Sequence, residues 1–575
     1  MAEKLHLYDN HYWHILLHMN GNNSEIKDKN FFFSEDGVSN PKNEMFATLD
    51  AFFSNEIKDD NSSICKFPGR YYWLKKKLNG KNFPKANCKE YNKIFKRVDP
   101  HSATLVFPSA HINSPASMFG HTFIRINSSF NSKLLSYAIN YAANADQNKE
   151  NGVIFAIKGL TGGYLGKYSL LPYYEKLKEY RDTEQRDIWE YDLNLTEKET
   201  IRMFRHIWEL NNVQTNYYFF TQNCSYEMLW LIEAAKPSIK LRREFNFQII
   251  PLETVHEINK LDLIKSFNYR PSKRTKLLKY ETLIDKKFKK YPMLLSNNKI
   301  KIEKIIKNNK ISIQQKQYIL EASIEYLEYQ FIHSKIKKDD YLEIFHKLTS
   351  SRAKLGKGEE MNIEVPINPI KSHRAIRTTF GIGLREKKPI YFLGIRPAYH
   401  DLEDFNNGFL RGTQIEFLNF LMAYSKEKIK VEKATILSIV SLTERSNFFH
   451  NFSWRMSLGW DRDYPNQDEP FHLSVGAGYS WGNKFGLLYF LIDPSFYYLD
   501  KKALESIDGS IGLIIDKYKF LNTKIELTKK RYTNGNNKLL IEAMQGFKTS
   551  QNTEIKLKYE HKEEERVKLM FNYYF

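Results

Sequence analysis

The stretch 471–481 reads FHLSVGAGYSW, and apolar side chains occupy every second position from Phe471 to Trp481. Successive side chains of a β-strand point to opposite faces, so this stretch predicts a strand with one apolar face and one small or polar face. The same alternation recurs at 452–460 and at 567–575. The repetition predicts a sheet that is apolar on one side along its whole width.

Twelve segments of this kind follow one another from residue 374 onward, with turn signals between them. They span 374–385, 391–400, 409–421, 428–444, 447–460, 469–482, 484–497, 507–516, 518–531, 537–549, 552–561 and 565–575. An even number of strands that are long enough to cross a bilayer and end in aromatic residues is typical of outer-membrane barrels. We therefore predict a C-terminal antiparallel β-barrel of about 12 strands at 371–575, with a soluble β-sandwich as the alternative.

An even-stranded barrel leaves both of its ends on the periplasmic side, so we expect everything before it to lie in the periplasm. Residues 1–20 contain no continuous hydrophobic segment, and we expect a secretory signal to have been removed. Cys65 and Cys88 could pair in that oxidising compartment, which would stabilise the N-terminal part by about 3 kcal/mol. In the cytosol all three cysteines would be reduced.

Lys and Arg number 87 against 67 Asp and Glu, a net charge of +20. Half of this excess lies in 271–310, which holds 13 Lys and Arg and 3 Asp and Glu. Such a tract is most simply a solvated surface, and its functional alternative is a contact with lipid phosphate. The sequence has no zinc-ligand set, helix-turn-helix pattern or aromatic RNA-binding motif, so we expect no nucleic acid partner.

The strongest chemical signal is a histidine in 119–123, FGHTF, and a cysteine in 220–225, FTQNCS. Cys224 precedes an apolar helix that Asn223 can cap, and a helix N-terminus favours thiolate over thiol. His121 stands where a strand begins. The pair predicts a cysteine nucleophile with a histidine base, against the simpler interpretation of Cys224 as a small core residue.

A third residue should orient the imidazole, and the next strand offers Ser136 and Asn140 on one face. We predict Asn140, because its amide oxygen can accept an imidazole N–H, although an Asn that fixes the nearby turn would look the same. His101 and His111 compete with His121 as the base. Neither has the Gly-His-Thr-Phe context.

Gly120 would let the backbone approach a reacting carbonyl, and the N–H groups of Cys224 and Ser225 are candidates for an oxyanion hole. The glycine-rich run 159–166 lacks the spacing of a phosphate-binding loop, so we expect it to gate the substrate instead. We expect neither a metal nor another cofactor.

The segment from Ala103 to Pro237 resembles the Lnb N-terminal periplasmic domain family. The resemblance rests on these motifs: 107–109 FPS, 115–121 PASMFGH, 137–143 YAINYAA, 186–191 RDIWEY and 223–225 NCS. It implies a circularly permuted papain-like or NlpC/P60-like α+β fold, in which the histidine precedes the cysteine. The namesake of the family is a bacterial lipoprotein N-acyltransferase, whose chain continues with membrane helices where this chain has strands.

We therefore predict a multidomain α+β protein. The parts are a helical N-terminal subdomain at 1–98, a Cys/His catalytic domain at 99–245, a helical basic linker at 246–370 and the barrel at 371–575. In the catalytic domain we predict five strands and three helices. The strands are 103–107, 122–127, 134–141, 152–158 and 187–193, and the helices are 169–180, 196–211 and 225–236.

Three functions are compatible with this organisation. The first is an outer-membrane-anchored thiol acyltransferase, with a phospholipid as donor and a lipoprotein or other amine as acceptor, as the resemblance implies. The second is a periplasmic cysteine hydrolase, whether peptidase, amidase or lipase. The third is a non-catalytic outer-membrane barrel or assembly module.

Overall fold

The computed structural model describes residues 1–54, 59–80, 82–110, 118–130, 132–144, 152–245, 247–425, 428–461, 470–499, 502–562 and 564–575. The chain forms two compact units, Met1–Ser272 and Lys273–Phe575. Within the described ranges, no helix is both long enough and apolar enough to cross a membrane.

The first unit is an α+β structure built on an antiparallel sheet. Its strands are β1 Met19–Asn20, β2 Asn23–Ser24, β3 Ser102–Pro108, β4 Phe123–Asn127, β5 Tyr137–Ala143, β6 Tyr164–Pro172, β7 Ile188–Leu193, β8 Gln214–Tyr217 and β9 Ile264–Arg270. The main sheet has the order β8-β6-β5-β4-β3-β7-β9, and β1 pairs with β2 separately. Its central strands are buried on both faces, which explains their nearly continuous apolar sequences.

The helices of this unit are α1 His11–Leu16, α2 Pro41–Phe53, α3 Ser63–Lys66, α4 Pro68–Lys77, α5 Lys89–Val98, α6 Gly152–Thr161, α7 Tyr173–Leu177, α8 Glu197–Glu209, α9 Cys224–Ala235 and α10 Pro251–Lys260. A π-helix, Lys178–Thr183, continues α7. Helix α9 is buried along its whole length and contacts β4 and β5.

The N-terminal residues pack directly onto α9. The ring of His18 stacks on Trp230 at 4.3 Å, and the Trp230 indole donates a hydrogen bond of 2.9 Å to Glu25. Cys65 and Cys88 form the expected disulfide, with their Cα atoms 5.2 Å apart, and so tie α3 to the start of α5. The N-terminal residues therefore hold the helix that begins at Cys224.

One predicted element of this unit is wrong, and another is right only in part. The apolar run 152–158 was expected to be a strand but forms α6, because Phe155 packs on Phe219 and the Gly159 carbonyl accepts the Phe219 N–H at 2.9 Å. The predicted helix 169–180 is helical from Tyr173 onward, whereas 169–172 belong to β6, because these four residues pair with β5. The expected gating loop 159–166 is the end of α6, a turn and the start of β6.

The second unit begins with a helical region. Its helices are α11 Lys273–Leu283, α12 Tyr291–Ser296, α13 Glu303–Ile306, α14 Ile313–Ile332 and α15 Lys338–Ala353. Phe448 and Phe449, from a loop of the barrel, enter the core of this region, where their rings lie 5.3 Å from Tyr326 and 5.4 Å from Tyr329. The region is therefore packed against the barrel and is not a free linker.

The barrel strands are β10 Arg377–Arg385, β11 Lys388–Arg396, β12 Ala398–His400, β13 Thr413–Ser425, β14 Lys428–Ser441, β15 Ser453–Asp461, β16 Phe471–Gly482, β17 Gly486–Leu499, β18 Lys502–Ile515, β19 Leu521–Tyr532, β20 Asn537–Lys548, β21 Thr553–His561 and β22 Glu565–Tyr574. Among the described residues, all of these except the short β12 form a closed antiparallel ring of twelve. The predicted barrel is confirmed.

The barrel has its apolar side chains outside. On β22, Leu569 and Phe571 are exposed, whereas Lys568 and Asn572 are buried in the interior. A soluble sandwich would bury the apolar face, so the alternation observed here is that of a barrel surrounded by lipid.

The interior of the barrel is filled by the chain itself. The segment 401–409, between β12 and β13, reaches the opposite wall, where the Asn522 amide donates to the backbone carbonyls of Glu403 and Asp404 at 3.1 and 3.0 Å. The Asp404 carboxylate binds Arg396 at 2.6 Å and Lys556 at 2.7 Å. Two cavities of about 210 and 230 Å³ are found inside the barrel.

Candidate active site

Cys224 is the first residue of α9 and is almost fully buried. Asn223 caps the helix as predicted, because its side-chain oxygen accepts the N–H groups of Ser225 at 3.0 Å and Tyr226 at 3.3 Å. The Asn223 amide donates to the Ile249 carbonyl at 2.7 Å. These bonds fix the backbone on both sides of the thiol.

His121 precedes β4, and its Nε2 lies 2.9 Å from Oδ1 of Asn140 on β5. An amide oxygen can only accept, so Nε2 carries the proton and Nδ1 is the nitrogen with a lone pair. The ring of Tyr180 stacks on the imidazole at 5.5 Å. Asn140 and Tyr180 thus set the tautomer and the plane of the ring.

Thr122 joins the two halves of the site. Its hydroxyl donates to the Ser225 hydroxyl at 2.9 Å, and its backbone N–H interacts with the Cys224 thiol. The thiol also lies 3.9 Å from the Ser225 hydroxyl. The described contacts include no hydrogen bond between the thiol and His121. The thiol is contacted by Thr122, the neighbour of His121 in sequence.

The shifts in pKa of Cys224 and His121 favour the uncharged forms of both side chains. Burial raises the pKa of the Cys224 thiol, and the N–H groups of Thr122 and Ser225 only partly offset this effect. His121 keeps part of its surface accessible, but enclosure of its ring lowers the pKa to about 3, against the influence of Asn140. A thiol with a raised pKa beside an imidazole with a lowered pKa favours the uncharged pair.

Gly120 has a backbone φ of +93°, and a Cβ at this position would lie 2.7 Å from the ring of Phe107. Only glycine combines this backbone conformation with so close a contact. The Ser225 N–H is bound by Asn223 and the Cys224 N–H by the Tyr217 side chain, so both members of the predicted oxyanion pair already have partners. The geometry therefore brings together Cys224, His121, Asn140, Asn223, Ser225 and Gly120.

Two residues near the thiol were missed in the sequence. The Tyr217 side chain, on β8, interacts with both the thiol and the backbone N–H of Cys224. The Arg186 guanidinium donates to the backbone carbonyls of Ser109 at 2.6 Å and Pro108 at 2.9 Å, and its charge lowers the pKa of both His121 and Cys224. Aromatic and basic residues are common, so neither carried a recognisable signal.

The competing residues lie elsewhere or outside the described residues. His101 is exposed and lies 3.7 Å from Glu197. Ser136 is buried just before β5. His111 falls outside the described residues. Of the three histidines weighed as a base, His121 is the one that the described structure brings to the cysteine.

One group of potential metal ligands is found among the described residues, inside the barrel. Ligand atoms of His373, His400 and Asp404 lie within 4.8 Å of one another. The Asp404 carboxylate already binds Arg396 and Lys556, as described above, and also Arg377 at 3.0 Å. Three neighbouring cations make this a poor environment for a metal ion.

Comparison with known families divides the chain into four parts. Residues 90–260 match the Lnb N-terminal periplasmic domain. Three domains of unknown function match the rest: DUF7843 at 5–77, DUF7842 at 267–362 and DUF7840 at 366–574. No curated protein matches the chain. The resemblance expected for the region around His121 and Cys224 is confirmed.

Several solved structures are similar to part of the chain. The KdgM porin is 10% identical and covers 35% of this chain and 99% of its own, with a TM-score of 0.24. The NanC porin is 6% identical over 35% and 100%, with a TM-score of 0.25. The COG4313 outer membrane channel of Pseudomonas putida F1 is 8% identical over 37% and 97%, with a TM-score of 0.23.

The closed barrel with its apolar exterior and the match to a periplasmic domain agree on location. The N-terminal end of β10 and the C-terminal end of β22 lie at the same rim, because Arg377 pairs with Tyr574. This is an outer-membrane protein with its N-terminal part in the periplasm.

Proposed function

We propose that this protein is a thiol acyltransferase of the outer membrane, which takes an acyl group from a phospholipid and passes it to an amine. The observation that carries the proposal is the position of Cys224 at the start of a buried helix. Its thiol contacts the backbone of Thr122, the residue that follows His121, and Asn140 orients the His121 ring. A thiol, a base and a residue that orients the base are the parts that cysteine acyl transfer requires.

In the first half-reaction His121 Nδ1 takes the thiol proton and Cys224 Sγ attacks the ester carbonyl. The tetrahedral intermediate collapses as the C–O bond breaks, and the imidazolium returns the proton to the leaving alcohol of the lysophospholipid. In the second half-reaction an amine attacks the thioester, His121 takes the amine proton, and the C–S bond breaks. The thiolate then recovers that proton.

The residues around Cys224 support both half-reactions. The N–H groups of Thr122 and Ser225 contact the thiol sulfur and stabilise it as a thiolate when the proton leaves. The Cys224 N–H donates to the Tyr217 side chain, and the Tyr217 hydroxyl can in turn donate to the oxyanion of the tetrahedral intermediate. Arg186 adds positive charge where negative charge develops.

The choice of a lipid ester rests on location. The barrel anchors the chain that carries the Cys/His domain in a membrane, where phospholipid esters are concentrated. The match to the Lnb N-terminal periplasmic domain supports an acyl acceptor that is an amine, such as the N-terminus of a lipoprotein. With water as the acceptor the same thioester would give hydrolysis.

Product analysis tests the proposal. The full-length protein is placed in nanodiscs of phospholipid with a labelled acyl chain, with or without a lipopeptide that has a free α-amine. We expect lysophospholipid together with an acylated lipopeptide, and neither product from Cys224→Ala. Labelled fatty acid formed at the same rate with and without the lipopeptide would mean a hydrolase. No lysophospholipid under either condition would contradict lipid chemistry at Cys224.

A further inference from the structure

Helix α6 exposes apolar side chains beside the candidate active site. Ile154, Ile157 and Leu160 follow one another at a spacing of three residues. Each of the three is between 46% and 55% exposed. Single exposed apolar residues are ordinary, but a group along one helix marks a surface that contacts something apolar.

The same helix supports the loop that leads to Cys224. Phe219 packs on α6 through Phe155, at 5.4 Å between ring centroids, and through the backbone bond to Gly159 described above. Gly162 lies so close to Tyr218 that a Cβ there would be 2.3 Å from its ring. From Phe219 the chain continues through the Asn223 cap to the thiol. The apolar surface and the nucleophile are thus parts of one packed structure.

We propose that the face of α6 formed by Ile154, Ile157 and Leu160 inserts into the phospholipid leaflet of the membrane that the barrel spans. The proposal rests on the proposed function and adds the way in which the enzyme reaches its lipid. A helix satisfies its own backbone hydrogen bonds, so it can enter the apolar boundary of a leaflet without loss.

Two observations favour a leaflet over another protein as the occupant. The barrel is surrounded by lipid, so a leaflet is permanently available to the rest of the chain. Lys158 follows Ile157 on α6 and is half-buried, with its ammonium 5.7 Å from the centroid of the Tyr164 ring. Lysine ammonium groups at the edge of an apolar helix face are attracted to the phosphates of headgroups while their stems lie along the apolar surface.

Photo-crosslinking in nanodiscs tests this contact directly. Ile157 is replaced by p-benzoylphenylalanine in the full-length protein, and Phe267, an equally exposed apolar residue on the opposite edge strand β9, is replaced in a control. Irradiation in nanodiscs of fluorescent phospholipid should attach lipid at position 157 at least about fivefold more than at position 267, as expected for a residue in the lipid boundary. Equal yields, or crosslinks at 157 to a second protein copy, would overturn the proposal.

A kinetic comparison separates this inference from the proposed function. Ile157→Asp should lower the rate with phospholipid in nanodiscs by about tenfold and leave the rate with a water-soluble short-chain ester unchanged, because only the bilayer substrate needs the insertion. Phe267→Asp should change neither rate. If Ile157→Asp lowers both rates equally, the α6 proposal fails. If the parent protein has no activity on either ester while position 157 still crosslinks to lipid, the proposed function fails and the lipid contact stands.

Discussion

At the scale of single residues, Cys224 is almost fully buried and His121 is half-buried with a fixed ring orientation. Asn140 holds one nitrogen of the imidazole and Thr122 links the neighbouring backbone to the thiol. The raised pKa of the thiol and the lowered pKa of the imidazole favour the uncharged pair, and burial keeps the thiol away from solvent.

The buried imidazole makes the stability of the first unit depend on pH. In the unfolded chain His121 has its ordinary pKa of 6.5, whereas in the folded protein the pKa is about 3. Between these values the unfolded state binds more protons, so the free energy of unfolding falls as the pH falls, by up to about 1.4 kcal/mol per pH unit for one histidine.

We expect His121→Gln to reduce this slope by up to one proton, since glutamine does not titrate. This slope is measured by unfolding the full chain in denaturant at a series of pH values. Limited proteolysis reports the unfolding of the first unit. If the free energy of unfolding depends on pH in the same way in both proteins, the assignment of His121 as enclosed and neutral is contradicted. His18, which is also buried with a lowered pKa, contributes equally to both proteins.

Asn140 should act as a positioning residue. We expect Asn140→Ala to lower kcat about 10- to 100-fold with little change in KM, because the ring loses its orientation. Asn140→Asp should retain more activity and move the acidic limb of the pH–rate profile to higher pH, since a carboxylate stabilises the imidazolium. Ser169→Ala, which removes only a 3.3 Å bond to the Asn140 carbonyl, is the matched control. An unchanged pH profile in Asn140→Asp would argue for a structural role alone.

The core of this site could be predicted from local sequence because each part has a local signature. The N-cap pattern before an apolar helix predicts Asn223 and Cys224. The alternation of side chains along one strand predicts Asn140. Tyr217, Thr122 and Arg186 could not be assigned in this way, because their contacts with Cys224 and its neighbours depend on how the strands of one sheet are paired. Strand pairing is a property of the tertiary fold and leaves little trace in any single segment.

At the scale of elements, the barrel strands were predictable because burial alternates strictly along them, as on β22. Helix α6 was predicted as a strand for the opposite reason. Val153, Ile154 and Ile157 are strand-forming residues, yet the packing of Phe155 and Gly159 on Phe219 favours a helix. Tertiary contacts override intrinsic propensity where a segment is short.

Arginine substitutions on β22 test whether the outer face contacts lipid. Leu569 lies midway along the strand and Tyr573 near its end, and both point outward. We expect Leu569→Arg to cost about 2–4 kcal/mol of barrel stability and Tyr573→Arg about 0–1 kcal/mol, because the cost of a charge falls toward the interface. Folding into vesicles at graded denaturant, scored by heat-modifiable migration in gels, measures both. Equal costs at the two depths would argue against a membrane.

At the scale of the whole molecule, the barrel joins a lipid-facing exterior to a polar interior that is crossed by protein. The segment 401–409 spans the interior, and Arg455 on β15 binds Glu526 on β19 across it at 2.7 Å. These contacts occupy the space that a passive diffusion pore leaves to water. The structure therefore favours the barrel as a membrane anchor over the barrel as a pore.

Electrical recording distinguishes an anchor from a pore. In planar bilayers we expect the parent protein to show no steady conductance. Asp404→Asn should produce intermittent openings, because it weakens the carboxylate that holds Arg396 and Lys556 around the crossing segment. Glu565→Gln, at an exposed position on β22, is the control and should stay silent. A steady, ohmic conductance in the parent protein would support the pore interpretation.

The most direct test of the account is the covalent intermediate itself. Full-length protein in phospholipid nanodiscs, without an amine acceptor, is quenched in acid and its peptides are examined by mass spectrometry. We predict a fatty acyl group on the peptide that contains Cys224, released by neutral hydroxylamine as a thioester is, and absent from Cys224→Ala. Phospholipid turnover with no acyl group on Cys224, or with the acyl group on another residue, would contradict the central claim.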